Sequence, residues 1–117
     1  MTFDEYQQQA ATTDILGNGK SKDVLASDPA YVAKILGLVG EAGEIAEKYK
    51  KIIRDKKGII NDQDKEELIK ELGDVLWYTA LLARYLSVPF EAVARANLDK
   101  LASRKNRNAL HGKGDNR

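Results

Sequence analysis

The stretch Glu71–Leu86, ELGDVLWYTALLARYL, decides the fold of this 117-residue chain. From Val75 onward it carries one charge, Arg84, in twelve residues. A helix that is apolar on nearly every side has to be covered by other elements on most of those sides. The stretch therefore predicts a long helix that is buried on most of its surface.

Outward from this stretch, capping signals and chain breakers divide the sequence into further helices. Runs rich in Val, Ile and Thr that alternate with polar residues are missing, so strands are not expected. Long helices joined by short turns are typical of antiparallel bundles. We therefore predict an all-α bundle of about four helices, with the second and third as antiparallel neighbours. The expected helices span residues 3–13, 29–54, 64–86 and 90–106, and the expected caps are Thr2 with Glu5, Asp28 before Pro29, and Asp64 with Glu67.

Length and composition limit the classes of protein that the chain can represent. A chain of 117 residues predicts one domain, which we place at residues 1–110, followed by a polar tail at 111–117. With 43% hydrophobic and 32% charged residues the chain is typical of soluble globular proteins. No cysteine is present and His111 is the single histidine, which excludes cysteine-based zinc sites, thiol nucleophiles and multi-histidine metal sites.

Charge and hydropathy predict the partners and the location. Because 19 basic residues nearly balance 18 acidic ones, binding to nucleic acid or to a membrane surface through net charge is not indicated. No apolar run reaches about 18 residues, so no membrane span is expected. The polar and acidic start MTFDEYQQQ differs from a signal peptide, and we expect a cytoplasmic protein.

Two pairs of acidic residues carry the functional signal. Glu71 and Asp74 open the apolar stretch, and the segment around them resembles the segment around Glu41 and Glu44, since both have an acid, a glycine and a second acid in the same order. Acidic side chains are seldom buried unless they are paired or bind a metal. If the second and third helices are antiparallel neighbours, the four carboxylates converge. Oxygen ligands without histidine or cysteine favour Mg²⁺, with Mn²⁺ as an alternative.

The second helix also shows an apolar arc on a helical wheel, and we predict that this arc faces the core. Gly43 lies on the same arc, which predicts a close approach of a neighbouring helix there. The arc contains Val32, Ile35, Leu36, Val39, Ala42, Ala46, Tyr49 and Ile53, with Leu38, Ile45 and Ile52 at one edge.

At these residues the sequence resembles the MazG-type all-α nucleotide pyrophosphohydrolases, and in particular their small single-domain branch. The likeness lies in the E-x-x-E pair of GLVGEAGEIAEKYKK, the E-x-x-D pair of KELGDVLWYTALLA, and the ending ANLDKLASRKNRNALHGKGDNR. It implies hydrolysis of a nucleoside triphosphate, or its deoxy form, to the monophosphate and pyrophosphate by attack of water at the α-phosphorus. It also implies that Glu41, Glu44, Glu71 and Asp74 bind Mg²⁺ and act in catalysis.

The resemblance further implies substrate contacts on the fourth helix. Lys100 and Arg104 are carried over as phosphate-binding residues, together with Asn97 on the same stripe. A nucleobase needs a stacking or hydrogen-bonding pocket, for which the candidates include Tyr6, Trp77 and Tyr78, although Trp77 is also a candidate for a subunit interface.

Two alternatives remain open at this point. A related enzyme acting on dUTP, dCTP or phosphoribosyl-ATP would differ in a base or sugar pocket that the sequence does not define. A non-catalytic helical interaction module would use the acids as a structural metal site. The enzyme and the interaction module share the expectation of a homodimer or homotetramer, because the apolar helices exceed what one chain can cover.

Overall fold

The computed structural model describes residues 1–17, 25–108, 110–112 and 114–115. Within these ranges the secondary structure is helical and contains no strand, so the all-α prediction is confirmed. Much of the connection between the first two expected helices, residues 14–28, lies outside the described residues. The helices are α1 (Phe3–Ala11), α2 (Pro29–Lys56), α3 (Asp62–Tyr85) and α4 (Phe90–Asn106).

Helix caps explain where α1 and α2 begin. The Glu5 N–H donates to the Thr2 hydroxyl at 3.1 Å, and the Thr2 N–H donates to the Glu5 carboxylate at 2.6 Å, which closes a capping box. At the start of α2, the Asp28 carboxylate accepts a hydrogen bond from the Ala30 N–H at 2.9 Å. Both caps confirm the expectation from the sequence.

The N-cap residue predicted for α3 is wrong, because the observed cap lies three residues earlier in the sequence. Asn61, and not Asp64, caps the helix, because the Asp64 N–H donates to the Asn61 side chain at 2.8 Å. Asp64 supplies the reciprocal carboxylate, which accepts the Asn61 N–H at 3.0 Å. Asn61 and Asp64 both have side chains that can cap a helix. The structure uses Asn61, so α3 begins at Asp62.

Helices α2 and α3 form an antiparallel hairpin. Lys57 and Gly58 adopt left-handed conformations in the turn between them, with φ values of 55° and 77°. The contacts across the hairpin run in opposite directions along the two helices, as antiparallel packing requires. From the turn outward they join Lys56 with Asp64, Lys48 with Glu67 and Glu71, Gly37 with Tyr78, and Tyr31 with Tyr85.

Helix α3 lies at the centre of the chain. Its second half contributes buried Ala80, Leu81 and Ala83, and α1 and α4 pack against it as well as α2. The Gln7 side-chain amide ties α1 to this helix and to the following turn by donating to the carbonyls of Ala80 and Val88, each at 3.0 Å. The prediction that the apolar stretch is buried is therefore confirmed for Ala80, Leu81, Ala83 and Tyr85, whereas Leu76 and Leu86 are 37% and 62% exposed in the single chain.

The face of α2 that packs on α3 differs from the predicted one. The predicted arc is largely exposed in the single chain: Leu36 and Val39 are 66% and 67% exposed. The buried positions are Ala30, Lys34 and Ile52, at and beyond the edge of the arc on which Ile52 was placed. Among the described helices α2 packs on α3 alone, so only one side of it can be covered.

The glycine that permits close approach is also a different one. A Cβ atom at Gly37 would lie 2.3 Å from the ring of Tyr78, whereas a Cβ at Gly43 would have no neighbour within 4 Å. Gly37 therefore lets the Tyr78 ring lie against the backbone of α2. The close approach predicted at Gly43 does not occur in the single chain.

A membrane span is not found either. Among the residues that the structure describes, each helix is too short or too polar to cross a bilayer.

Candidate metal centre

The hairpin of α2 and α3 brings three of the four predicted carboxylates together. Glu41, Glu71 and Asp74 each offer one oxygen atom, and these atoms lie within 4.8 Å of one another. Glu41 comes from α2 and the other two from α3, one turn apart. We call these three residues the acidic cluster. Glu44 lies one turn after Glu41, is exposed and is not part of the group.

The electrostatics of the acidic cluster are those of like charges held at close range. Burial, followed by the charges of Asp74, Glu71 and Glu44, raises the pKa of Glu41 above its ordinary value. The close approach of the Glu71 carboxyl group adds to this effect. Although Glu44 lies outside the cluster, its charge therefore still acts on it.

Lys48 brings a positive charge to the edge of the cluster. Its Nζ atom lies 3.4 Å from Oε1 of Glu71 and 3.5 Å from Oε2 of Glu67, so α2 and α3 are also joined by ion pairs. Hydrogen bonding to Glu71 is the largest cause that raises the pKa of Lys48. The ammonium therefore neutralises part of the negative charge through Glu71, one of the three cluster residues.

The donor atoms of the cluster fit a hard divalent cation. All three donors are carboxylate oxygens, and oxygen-only sites suit Mg²⁺ and Mn²⁺. A cation between them would remove the repulsion that raises the pKa of Glu41. The residues present are therefore compatible with the metal that the sequence suggests.

The residues expected to bind phosphate on α4 lie in two different environments. Asn97 and Lys100 line an open cleft of about 450 Å³ on the outside of the helix. Arg104 has a buried side chain, and its Nη2 atom donates to the backbone carbonyl of Asp115 at 2.9 Å and to the carboxylate of Asp115 at 3.1 Å. The same carboxylate accepts a bond from Lys100 at 3.2 Å. The two cations thus share an anionic partner from the C-terminal segment.

The aromatic candidates for a base pocket also lie in different surroundings. Tyr6 lies close enough to Asp74 for the aspartate charge to contribute, after burial, to a raised tyrosine pKa. Trp77 packs toward the segment after α1, since its Nε1 donates to the Thr13 hydroxyl at 2.9 Å. Tyr78 packs edge-on against Trp77 with ring centres 4.9 Å apart.

A buried ionic group was missed by sequence reasoning. Lys34 and Asp14 form an ion pair at 2.7 Å with side chains 5% and 2% exposed, and the Tyr85 hydroxyl donates to the same carboxylate. The Lys34 ammonium also lies 5.3 Å from the centre of the Trp77 ring. A signal existed in the sequence: residues 34, 41 and 48 are spaced seven apart, on one stripe of α2.

Comparison with known proteins identifies relatives of the chain. A family model described as the MazG nucleotide pyrophosphohydrolase domain matches residues 31–108, a range that includes all three residues of the acidic cluster. The Gene 37 protein of Mycobacterium phage L5 is 48% identical over 117 residues, which covers the whole of both chains, and its name states no activity. No solved structure matches the chain.

Proposed function

The chain belongs to the MazG nucleotide pyrophosphohydrolase family, and we propose that it hydrolyses a nucleoside triphosphate, or its deoxy form, to the monophosphate and pyrophosphate. The observation that carries this proposal is the convergence of three carboxylate oxygens from two helices within 4.8 Å. Membership in the family supports a hydrolase acting on nucleotides, and the cluster supports the proposal because its carboxylate oxygens could hold a divalent cation.

Glu41, Glu71 and Asp74 would hold a Mg²⁺ ion, with Glu44 as a fourth candidate from the next turn of α2. When bound, such an ion neutralises charge on phosphoryl oxygens and lowers the pKa of water. The protein contributes a fixed set of acceptors on two packed helices, so little ordering of the site is required on binding. A carboxylate of the same group is the natural acceptor for the proton of the attacking water.

Substrate contacts are proposed on α4 and α1. Lys100 and Arg104, with Asn97, would bind the phosphates, because guanidinium and ammonium groups pair with phosphate oxygens as they do here with the carboxylate of Asp115. Tyr6 is the aromatic candidate that we favour for contact with a base, since it is near enough to Asp74 for that charge, after burial, to raise its pKa. Trp77 and Tyr78 pack against each other and on α1 and α2, which favours a supporting role for both.

We also propose that the active form is a homo-oligomer. Large apolar side chains of α2 lie exposed in the single chain, and a second copy would cover them. The same exposure favours the second candidate function, a non-catalytic interaction module in which the carboxylates bind a structural metal. The two candidates differ in turnover and can be separated by one assay.

The deciding assay measures pyrophosphate release from a panel of ribo- and deoxynucleoside triphosphates in the presence of Mg²⁺. We expect Glu71→Gln and Asp74→Asn to lower kcat by about 100-fold or more, the scale on which single charged groups of active sites act. Glu47→Gln is the matched control, because Glu47 is an acid of α2 outside the acidic cluster that pairs with Lys50 and Lys51.

The products distinguish the possible reactions. Monophosphate with two orthophosphates would show stepwise hydrolysis and contradict attack at the α-phosphorus. If folded, Mg²⁺-loaded protein turned over none of the nucleotides, the interaction module would replace the enzyme as the favoured function.

A further inference from the structure

Lys48 differs from the other lysines near it in the partners that it contacts. Its ammonium reaches across the hairpin to Glu71 and Glu67 on α3, and its side chain is 28% exposed. Lys50, two residues later, pairs with Glu47 on its own helix, and its side chain is 60% exposed. Because solvent screens the Lys50 pair more strongly, the charge of Lys48 acts more strongly on its surroundings.

We propose that Lys48 is an internal counter-ion of the acidic cluster, which neutralises Glu71 in the metal-free protein and competes with a divalent cation for that carboxylate. This inference rests on the metal centre of the proposed function. It adds a residue that does not bind the metal but determines how tightly the metal is held. The supporting geometry is the 3.4 Å contact of the Lys48 Nζ atom with Oε1 of Glu71, one of the three cluster residues.

Glu67 is an alternative ion-pair partner for Lys48 when a cation binds Glu71. It lies one turn before Glu71 on α3, outside the cluster, and its Oε2 atom is already 3.5 Å from the Lys48 Nζ atom. Its other carboxylate oxygen accepts a bond from the Gln63 amide at 3.4 Å, which orients the group. The ammonium can therefore leave Glu71 to a cation and still keep an ion-pair partner.

Removal of the Lys48 charge should lower the stability of the metal-free protein but raise its affinity for Mg²⁺. Without divalent cations, the three carboxylates repel one another more strongly, so the melting temperature falls. With Mg²⁺, the competing ammonium and its repulsion of the cation are gone, so the half-saturating Mg²⁺ concentration falls, by about fivefold. A lysine that only oriented Glu71 for the metal would produce the reverse, a higher half-saturating concentration.

The test is a Mg²⁺ titration of thermal unfolding, which does not depend on turnover. The variants are Lys48→Met and Lys48→Gln, which remove the charge with different side chains, Lys48→Arg, which keeps it, and Lys50→Met as the matched control. We expect both charge-removing variants to melt several degrees lower without Mg²⁺ and to respond to about fivefold less Mg²⁺. Lys48→Arg and Lys50→Met should stay within about twofold of the wild type.

The outcomes separate this inference from the proposed function. A wild-type protein whose melting temperature does not respond to Mg²⁺ would overturn the metal centre itself. A responsive wild type together with unchanged or weaker Mg²⁺ binding in both charge-removing variants would overturn the counter-ion alone. If Lys50→Met gave the same shift as Lys48→Met, the effect would be one of overall charge and the assignment to Lys48 would be wrong.

Discussion

A single buried ion pair, between Lys34 and Asp14, connects the segment after α1 to the hairpin. The Asp14 carboxylate accepts from Lys34, from the Tyr85 hydroxyl and from the Gly17 N–H at 3.1 Å, so its lone pairs are well satisfied. Lys34 has the ring of Trp77 as a further neighbour at 5.3 Å. Replacing one member of such a buried pair destabilises the folded protein, because the other charge is then buried without its counter-charge.

We therefore expect Lys34→Met to lower the free energy of unfolding by about 3 kcal/mol. The double variant with Asp14→Asn should lose less than the sum of the two single variants, because no unpaired charge then remains. Urea unfolding of the four proteins measures both values. Lys50→Met, which removes an exposed lysine from the same helix, should change the free energy of unfolding by less than about 0.5 kcal/mol. Equal effects of the two lysines would contradict the importance of the buried pair.

The same group predicts a pH dependence of stability. Burial by itself raises the pKa of Asp14, but the bonds from Lys34, Tyr85 and Gly17 outweigh it and lower the pKa below its ordinary value. A carboxyl with a lowered folded-state pKa stabilises the protein above its ordinary pKa, and this contribution is lost as pH falls through the lowered value. Asp14→Asn should therefore remove part of the acid-induced loss of stability. Parallel stability–pH curves for the variant and the wild type would contradict this assignment.

At the scale of helices, the contact between Gly37 and Tyr78 fixes how closely α2 and α3 approach. An added methyl group at Gly37 would meet the Tyr78 ring at 2.3 Å, so Gly37→Ala should destabilise the protein by about 1–3 kcal/mol. Gly40→Ala, three residues later, meets nothing within 4 Å in the single chain and should stabilise α2 by up to about 1 kcal/mol. Thermal unfolding of the two variants measures the difference, and equal shifts would contradict the close approach at Gly37.

The positions of the helices were predictable from the sequence because caps and breakers act locally. All four helices occur where they were expected, and their ends agree to within two residues. The capping box at Thr2 and the Asp28 cap depend only on neighbouring residues, whereas the start of α3 was misplaced because Asn61 and Asp64 were both competent caps.

The packing face of α2 was less predictable, because it depends on partners distant in the sequence. Apolar residues favoured one arc, yet α3 packs on a stripe that carries Lys34, Glu41 and Lys48. These polar residues find partners on α3 and after α1 that a helical wheel cannot show. Three of the four predicted carboxylates do converge, because Glu41 lies on this stripe while Glu44 lies beside it.

The whole molecule is more extended than a compact monomer of its length. The single chain exposes 8421 Å², whereas a compact monomer of 13.0 kDa exposes about 6,300 Å². Its radius of gyration is 16.9 Å, compared with about 13 Å for a compact domain of this length. The uncovered apolar arc of α2 accounts for part of this excess, and association with a second copy would bury it.

We expect light scattering to give a mass of two or four times 13.0 kDa at micromolar concentration. Leu36→Glu and Val39→Glu should shift the mass toward a single chain, because a charge at an apolar interface is costly to bury. Both positions are about two-thirds exposed in the single chain, so the substitutions should not disturb its own packing. Lys50→Glu is the control, since it changes charge at an exposed position of the same helix.

Association of two copies would also affect how the metal centre is tested. Leu36 and Val39 lie within about two turns of Glu41 along α2 but on another face of the helix, so an interface over the apolar arc would lie at the same level of α2 as the acidic cluster without covering Glu41. If the monomeric variants kept Mg²⁺-dependent stabilisation but lost turnover, the metal centre would belong to one chain and the substrate site would need two. If they kept both, the site would be complete in one chain. A wild-type mass of 13.0 kDa across the micromolar range would contradict association and leave the exposed arc to another partner.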